Sequence, residues 1–458
     1  MGRRLSKAYN FDVVIVGLGP AGSTLAYFLR KSGLNVAGID MVGVEGLWGK
    51  PCGDAIGKHH FDETGLPYPE GKELNQKVDG IYLISPKRDI TLKVEGEGFM
   101  INRNEYGKKM VKEAERSGVS IFLNTRVSSV KMEGGKLTGV VSVLPNGEKA
   151  LFKGKIIVDA TGNSALIRRQ LPNDWPPNET LDPLDSNIAY REVRDLAYNI
   201  EEPNYIRIYI DQEIAPGGYW WFFPEGKNRA NIGLGVQDGK GYPSPKSIFK
   251  ERLEGFDIVR NHEGIASASG SRVPTRRPAN TLVWDNFIGI GDNGFTVNPV
   301  HGGGMGYAFL SSYHASKVIL KAFEAGDFSA RSLWELNIAY NNSVGRRQAA
   351  LDIFRIFLQR LSNDEIEYGL KHGVMKAKDA YETSVKGELN VNMGALQKAT
   401  LALKMLAKPS LLSKLVLVGD YMKKVQKAYD IYPEKPEGLS TWVGYIRSLY
   451  SEYISRIG

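Results

Sequence analysis

A glycine-rich loop near the start of the chain has the spacing of a phosphate-binding turn. Gly17, Gly19 and Gly22 form G-x-G-x-x-G directly after the apolar run FDVVIV and open a stretch with helical apolar periodicity. In this pattern the first glycine permits a tight turn, the second lets the backbone approach a pyrophosphate, and the third allows close helix–sheet packing. Asp40 ends the next apolar run, where a carboxylate can bind an adenosine ribose. The pattern predicts a dinucleotide site without choosing between NAD and FAD.

Five consecutive aromatic residues mark a second unusual stretch, APGGYWWFFPEG, at positions 215–226. Because side chains alternate along a strand, Tyr219, Trp221 and Phe223 share one face and the other two rings take the opposite face. One face can then belong to the core and the other to a binding wall. The alternative, in which all five rings form core between domains, is the expected one for Trp220 and Phe222.

The composition limits the classes of protein and partner. The 458 residues are 42% hydrophobic and 24% charged, which predicts a globular protein of two or three domains. The net charge of +8 suits an acidic partner, an anionic substrate or an anionic membrane surface, and no dense basic run indicates nucleic acid. No uninterrupted apolar stretch reaches the roughly 18 residues that a membrane span requires.

Cysteine and histidine usage points to a reducing compartment and no metal. Cys52 is the single cysteine, so an intramolecular disulfide is impossible. We expect a cytoplasmic protein, with a peripheral position on the inner face of the cell membrane as the alternative. The six histidines lack the spacing of metal ligands, so no metal site is predicted.

Two later segments resemble the secondary fingerprints of FAD-dependent enzymes with the p-hydroxybenzoate hydroxylase fold. In the first segment, a strand ends at Asp159 and a turn follows at Gly162. In the second segment, a strand ends at Asp292, and a later glycine triplet opens a long helix. The resemblance implies FAD, with Asp292 on the ribityl chain and the helix N-terminus facing the flavin. It also implies flavin contacts for Arg103 and Val127. The implied cofactor-binding residues are Gly17, Gly19, Ala21, Gly22, Asp40, Cys52, Gly53, Arg103, Val127, Asp159, Gly162, Asp292, Gly302, Gly303 and Gly304.

The same resemblance predicts an α/β fold, α+β overall. A discontinuous Rossmann-like FAD-binding domain would comprise residues 1–75, 98–180 and 270–330. Strand-like runs in 76–97 and 181–269, punctuated by Gly, Pro and Asn, predict an antiparallel-sheet domain for substrate. Residues 331–458 are helical in pattern.

The aromatic strand resembles the signature of geranylgeranyl reductases, flavoproteins that saturate polyprenyl chains. The pattern P-x-x-Y-x-W-x-F-P is present from Pro216 to Pro224, and GKPCGD at 49–54 resembles the cysteine-bearing loop of the same family. The resemblance is closest to archaeal members, which act on geranylgeranyl groups of ether lipids and on geranylgeranyl diphosphate. It implies hydride transfer from flavin N5 with protonation of the alkene.

The chemistry gives the aromatic rings and the cysteine candidate roles. An isolated alkene accepts hydride only with protonation that builds carbocation character, and facing rings can stabilise a cation. We expect Tyr219, Trp221, Phe223 and Pro224 to bind the prenyl chain. Cys52 is the first candidate proton donor, Tyr219 the second and an ordered water the third. A buried, inert cysteine is the common alternative.

Charged residues extend the prediction to the lipid head group and the tail. Lys50, Arg276, Arg277 and the tail lysines are candidate head-group cations, which sequence alone does not rank. Residues Leu396 to Lys427 carry seven lysines and one acid in an apolar pattern. This predicts either a basic amphipathic helix pair on a membrane surface or helices that cap the sheet.

Electrons must come from outside, because no second dinucleotide-binding module appears. The candidate donors are NAD(P)H, bound transiently, and reduced ferredoxin, whose acidity suits the positive net charge. Two other functions stay open: a flavin-dependent monooxygenase or halogenase of the same fold, and a non-catalytic prenyl carrier. Intact cofactor segments favour an enzyme over the carrier.

Overall fold

The computed structural model describes residues 5–373 and 408–458, which form two eight-stranded sheets and a helical C-terminal region. The strands of the first sheet are β1 (Leu5–Val16), β2 (Val36–Ile39), β6 (Ser120–Phe122), β7 (Arg126–Glu133), β8 (Lys136–Val143), β9 (Lys149–Asp159), β15 (Val283–Trp284) and β16 (Phe287–Gly289). The strands of the second sheet are β3 (Ala55–Gly57), β4 (Leu74–Ile84), β5 (Thr91–Ile101), β10 (Ser186–Leu196), β11 (Tyr205–Tyr209), β12 (Tyr219–Pro224), β13 (Arg229–Gln237) and β14 (His262–Pro274).

Twelve α-helices accompany the sheets in the described ranges. They are α1 (Pro20–Leu29), α2 (His59–Thr64), α3 (Arg103–Arg116), α4 (Pro245–Arg252), α5 (Asp257–Arg260), α6 (Met305–Ala325), α7 (Ala330–Leu333), α8 (Glu335–Tyr340), α9 (Arg346–Leu358), α10 (Asn363–Lys371), α11 (Pro409–Asp430) and α12 (Leu439–Ile457). A π-helical turn, Asn341–Gly345, joins α8 to α9.

The first sheet has the order β15-β16-β9-β1-β2-β6, in which β16 to β6 are parallel and β15 is antiparallel to β16. The β7–β8 hairpin is attached through β9. Val13, Val14 and Ile15 of β1 are fully buried, as expected for a parallel strand covered on both faces. The carboxyl ends of β1, β2 and β9 lie at one edge, where the glycine loop, Asp40 and residues 160–162 follow them. This edge is the place where open α/β sheets bind ligands.

The second sheet has the order β14-β10-β13-β12-β11-β4-β5-β3. It differs from the predicted antiparallel sheet at one pair, because β11 runs parallel to β4, with Tyr205 opposite Gly80 and Tyr209 opposite Ile84. The two strands are far apart in sequence and are joined through the first sheet, so no hairpin dictates their direction. The aromatic strand β12 lies inside the sheet between β11 and β13.

The helical character predicted for the C-terminal region is confirmed in its described part. Helix α11 packs against α9 and buries Leu411, Val418 and Met422, so protein covers much of its apolar face. Lys414 pairs with Glu365 on α10. Of the predicted basic segment, residues 396–407 lie outside the described residues, and the remainder fits the capping alternative. No helix in the described ranges is both long enough and apolar enough to cross a bilayer.

Candidate active site

One large cavity, of about 1440 Å³, connects the ligand-binding edge of the first sheet with one face of the second. Its first wall contains Gly17, Gly19 and Asp40. The opposite wall contains the aromatic strand. The predicted site residues that line this cavity are Gly17, Gly19, Ala21, Asp40, Cys52, Gly53, Arg103, Val127, Gly162, Tyr219, Trp221, Phe223, Asp292, Gly302, Gly303 and Gly304. The fold therefore brings together segments that are distant in sequence.

The glycine loop has the geometry that its spacing predicts. Gly17 adopts φ +92°, and a Cβ there would lie 2.5 Å from the Ala160 carbonyl oxygen. A Cβ on Gly22 would lie 1.8 Å from the Gly17 carbonyl oxygen, so only glycine lets α1 approach the loop this closely. By contrast, a Cβ on Gly19 would meet no atom within 4 Å. Gly19 therefore faces open cavity where a ligand can approach the backbone.

Asp40 shapes the same loop through its carboxylate. Its Oδ2 accepts a hydrogen bond from the Leu18 N–H at 2.6 Å, and its Oδ1 accepts one from the Val42 N–H at 3.1 Å. These bonds fix the carboxylate at the end of β2, where it lines the cavity. An acceptor held in this way is positioned for ribose hydroxyls.

The segment before α6 forms the neighbouring part of the wall. Asp292 lies in a turn after β16, and a Cβ on Gly304 would come within 3.2 Å of its Oδ1. Gly304 is the N-cap of the 21-residue helix α6, and no side chain caps that terminus. Lys50 reaches across from the cysteine loop and pairs with Asp292 at 2.9 Å. The candidate head-group cation Lys50 thus contacts the predicted cofactor aspartate.

Strand β12 separates its aromatic residues between two environments. Tyr219, Trp221 and Phe223 line the cavity. Trp220 and Phe222 are buried on the other face, where the Trp220 ring stacks on Tyr209 with centroids 3.5 Å apart. The first group forms a wall, and the second group belongs to the core, as the alternation of side chains requires.

The cysteine loop, residues 49–54, lies directly on this aromatic face. A Cβ on Gly53 would lie 3.0 Å from Cε2 of Phe223. Asn231 on β13 ties the loop to the strand: its Nδ2 donates to the Cys52 carbonyl oxygen and to Asp54 Oδ2, each at 2.9 Å. Its Oδ1 accepts a hydrogen bond from Trp221 Nε1 at 3.0 Å. Arg103 also holds the loop, by donating to the Lys50 carbonyl oxygen.

The two candidate proton donors differ in their surroundings. Burial raises the pKa of the half-buried Cys52 thiol, so the group is neutral and protonated at physiological pH. Burial and the neighbouring Cys52 raise the pKa of the Tyr219 hydroxyl well above its usual range. That hydroxyl already donates a hydrogen bond to the His301 carbonyl oxygen at 2.6 Å. The geometry therefore favours Cys52 over Tyr219 as a source of protons.

Three predicted site residues do not line the cavity. Gly22 acts through packing, as described above. Asp159 is fully buried, and its carboxylate accepts hydrogen bonds from the backbone N–H groups of Thr161, Ile167 and Arg168. It orders the turn that presents Gly162 to the cavity, and Asp159 itself does not line the cavity. Pro224 is buried at the end of β12 and does not contribute to the wall.

Arg276 and Arg277 do not line the large cavity. Both line a separate polar cavity of about 710 Å³. Arg276 pairs with Glu179 at 2.9 Å, and the Arg277 backbone N–H donates to Asp352 Oδ2 at 2.9 Å. Both arginines are buried and neither lines the large cavity, so the structure does not place them beside the aromatic wall.

Sequence reasoning missed several polar residues around the cysteine loop. Arg191 on β10 lines the cavity, opposite Gly233 on the neighbouring strand. Asn231 and Glu225 lie behind Asp54, on the same side of the sheet as the cavity-lining rings. Asn231 on β13 lies opposite Phe223 on β12. This position can be predicted only when the pairing register of β12 and β13 is known.

The part of the cavity lined by the second sheet and the C-terminal helices is mostly apolar, although Arg347, Arg355 and Gln359 also line it. The residues there include Val78, Leu83, Val94, Ile206 and Ile208 from the sheet and Leu351, Phe354, Leu358 and Ile366 from α9 and α10. Such a lining suits a hydrocarbon chain.

The residues present fit FAD. The N-terminus of α1 has no side-chain cap and no acidic residue in its first turn, so its N–H groups are free to bind a pyrophosphate. The cavity wall next to this helix terminus also contains the open space at Gly19, the carboxylate of Asp40 and the close contact between Gly304 and Asp292. The cavity exceeds the roughly 300–1,000 Å³ of a typical small-molecule site, which leaves room for a second ligand.

Comparison with solved structures identifies the fold. A geranylgeranyl bacteriochlorophyll reductase-like protein from Thermoplasma acidophilum superposes with a TM-score of 0.76 at 20% identity, covering 90% of this chain and 100% of that chain. The flavin-dependent brominase Bmp2 superposes with a TM-score of 0.61 at 16% identity, covering 97% and 100%. The predicted fold class is confirmed.

Sequence comparison identifies the family. Residues 185–271 match the family model of the geranylgeranyl reductase catalytic domain. The digeranylgeranylglycerophospholipid reductase of Sulfolobus acidocaldarius is 45% identical over 98% of this chain and 99% of that protein. Digeranylgeranylglycerophospholipid reductase 2 of Methanopyrus kandleri is 27% identical over 78% and 88%. The chain belongs to the family of geranylgeranyl reductases that includes these digeranylgeranylglycerophospholipid reductases.

Proposed function

We propose that this protein is an FAD-dependent reductase that saturates the C=C bonds of geranylgeranyl chains in archaeal ether-lipid precursors. One observation carries the proposal: a single cavity is lined by the glycine and aspartate loops on one side and by Tyr219, Trp221 and Phe223 on the other. The name of the Sulfolobus relative supports digeranylgeranylglycerophospholipid as the substrate, ahead of geranylgeranyl diphosphate.

In this proposal the first sheet and its loops hold the cofactor. Gly17 forms the turn and Gly19 would leave room for the pyrophosphate, Asp40 would accept hydrogen bonds from the ribose, and Asp292 with the 302–304 glycines would hold the flavin end of the cofactor. Bound, reduced FAD supplies the hydride. Lys50 would release Asp292, or share it, when the ribityl hydroxyls bind, because the ion pair is half-exposed and therefore weak.

The second sheet and the C-terminal helices bind the prenyl chain. Burial of hydrocarbon contributes roughly 0.8 kcal/mol per CH₂, so the apolar end of the cavity provides most of the affinity. The three wall rings hold the reacting alkene and stabilise positive charge on it by about 1–2 kcal/mol each when water is excluded. We assign residues 76–97 and 181–269 to this substrate half, together with the face of α9 and α10 that completes it.

Cys52 donates the proton in this proposal. Its loop packs on Phe223, and the neutral thiol can release a proton to the alkene carbon that does not receive the hydride. The variant Cys52→Ser should retain FAD and lose alkene reduction, because a serine hydroxyl is a far weaker acid. Retained FAD with full activity would assign the proton to an ordered water instead.

The electron donor is a small acidic redox protein of the ferredoxin type, as the net charge of +8 favours. Reduction of bound flavin by ferredoxin should then slow steeply with added salt, since oppositely charged partners are steered by their fields. Reduction by NADPH at an equal or higher rate, insensitive to salt, would assign the nicotinamide as the donor.

The direct test uses anaerobic protein whose flavin has been reduced with dithionite. Addition of the digeranylgeranyl lipid should reoxidise the flavin, and mass spectrometry should show two hydrogens gained per double bond. The brominase likeness makes oxygen chemistry the rival. Flavin that is reoxidised only by oxygen would favour it, and a purified protein that binds lipid but no flavin would favour a carrier.

A further inference from the structure

Two buried carboxyl groups lie behind the cysteine loop and have no role in the mechanism described so far. Asp54 lines the cavity and is buried, and the side chain of Glu225 is only 6% exposed. Neither has a close ion pair: Asp54 Oδ1 is 3.8 Å from Arg103 Nε, and Glu225 Oε2 is 3.7 Å from Arg229 Nε. Buried carboxylates normally have closer charge partners, so this pair needs an explanation.

The two carboxyl groups lie between the β12–β13 turn and the cysteine loop. Glu225 follows the last residue of β12, and its backbone N–H donates to the Arg229 carbonyl oxygen at 2.8 Å across the β12–β13 turn. The neighbouring turn residues Lys227 and Asn228 are exposed. Asp54 is two residues after Cys52 and shares the Asn231 amide with the Cys52 carbonyl group. The order from the turn to the cysteine loop is therefore Glu225, Asp54 and Cys52.

The surroundings favour protonated carboxyl groups. Burial raises the pKa of Glu225, and the Asp54 charge raises it further, to about 7, against the opposing effects of Arg229, Arg191 and Asn231. Burial also raises the pKa of Asp54, which Arg103, Arg191 and the Asn231 amide oppose. A group that titrates near neutrality can both hold and release a proton under working conditions.

We propose that Glu225 and Asp54 form a proton-supply path that returns a proton from the β12–β13 turn to Cys52 after each alkene reduction. This proposal rests on the proposed function. In the reduction, one alkene carbon gains a hydride with its electron pair, and the other gains the proton of the Cys52 S–H bond, which breaks. The thiolate then takes a proton from the Asp54–Glu225 pair, and water at the turn reprotonates the pair. The sum is one hydride and one proton consumed per C=C bond.

In this path both carboxyl groups act through Cys52, and Glu225 does not line the cavity. Their removal should therefore spare the first turnover, for which the thiol already carries its proton, and slow the later ones. Glu225→Gln keeps the side-chain volume and removes the titratable group. Asp195→Asn is the matched control, because Asp195 is an exposed carboxylate 3.6 Å from the same Arg229.

Infrared spectroscopy tests the path without any turnover. In the purified flavoprotein, titrated between about pH 5 and 9, a protonated-carboxyl C=O band should disappear as the pH rises through neutrality. The band should be missing in Glu225→Gln and present in Asp195→Asn. Arg229→Met should shift its midpoint to higher pH, because the arginine lowers the pKa of Glu225. A titration that is unchanged in Glu225→Gln would overturn the proposal.

Rapid-mixing kinetics supplies the second test. Glu225→Gln should reduce the first double bond at the wild-type rate, slow later turnovers by about tenfold or more, and recover with small weak acids in the buffer. Unchanged later turnovers with an unchanged pH profile would overturn the path. If wild-type protein itself fails to reduce the alkene, the proposed function is wrong, while the infrared result still decides whether Glu225 holds the proton. Should Glu225→Gln not fold, Arg229→Met provides the same infrared decision.

Discussion

Glu225 makes a quantitative prediction about stability that requires neither flavin nor substrate. Its pKa lies at an ordinary 4.5 in the unfolded chain and at about 7 in the folded protein. At about 1.4 kcal/mol for each tenfold change in proton affinity, the difference corresponds to at most about 3 kcal/mol. The 6% exposure of the side chain means that little of this is lost to solvent screening.

The sign follows from which state holds the proton. Below about pH 4.5 both states are protonated, and the contribution to the free energy of unfolding is fully present. As the pH rises from 4.5 towards 7, the unfolded chain releases the proton while the folded protein retains it, so stability falls. Above about 7 both states are ionised and the loss is complete.

The perturbation is Glu225→Gln, and the assay is denaturant unfolding of wild type and variant at a series of pH values. The difference between their free energies of unfolding should shift by up to about 3 kcal/mol in favour of the variant as the pH rises from 4.5 to 7. Asp195→Asn should show no such trend, since that carboxylate is half-exposed. A pH-independent difference for Glu225→Gln, or one of opposite sign, would refute the electrostatic reasoning.

Three further predictions concern the cavity walls. Gly22→Ala should destabilise the fold, because its Cβ would lie 1.8 Å from a carbonyl oxygen. Gly19→Ala should unfold like wild type and bind FAD more weakly. Thermal unfolding and the flavin content of the purified variants distinguish these two effects. Trp220→Ala should lower the free energy of unfolding by about 3–5 kcal/mol, because Trp220 is in the core. Trp221→Ala should instead impair prenyl turnover by more than its effect on unfolding explains. Equal effects of the two variants on stability and turnover would contradict the assignment of the rings to two faces. Gly53→Val should displace the Phe223 ring and raise the KM for the lipid, with FAD retained. An unchanged KM would show that the cysteine loop can move enough to accommodate the larger side chain.

The sequence predicted the parts of the site that depend on local structure. The glycine loop, its helix and Asp40 form one continuous βαβ unit, so their roles follow from spacing alone. The separation of Trp221 from Trp220 also follows from the alternation of one strand. These features need no knowledge of which strands become neighbours.

The remaining features depend on long-range pairing. The parallel pair β4–β11 joins residues more than 120 positions apart, and no local pattern specifies it. The positions of Asn231, Arg191 and Glu225 beside the cysteine loop depend on the registers of β10, β12 and β13. The family resemblance implied a cofactor contact for Asp159, whereas in the structure its buried carboxylate accepts hydrogen bonds from the backbone of the following turn.

The proposed reduction is tested most directly by the anaerobic reaction of dithionite-reduced protein with digeranylgeranylglycerophospholipid, followed by absorbance and by mass spectrometry of the lipid. We expect flavin reoxidation in step with the gain of two hydrogens per double bond, and loss of this reaction in Trp221→Ala. Flavin that remains reduced in the presence of the lipid, and is reoxidised only when oxygen is admitted, would contradict it.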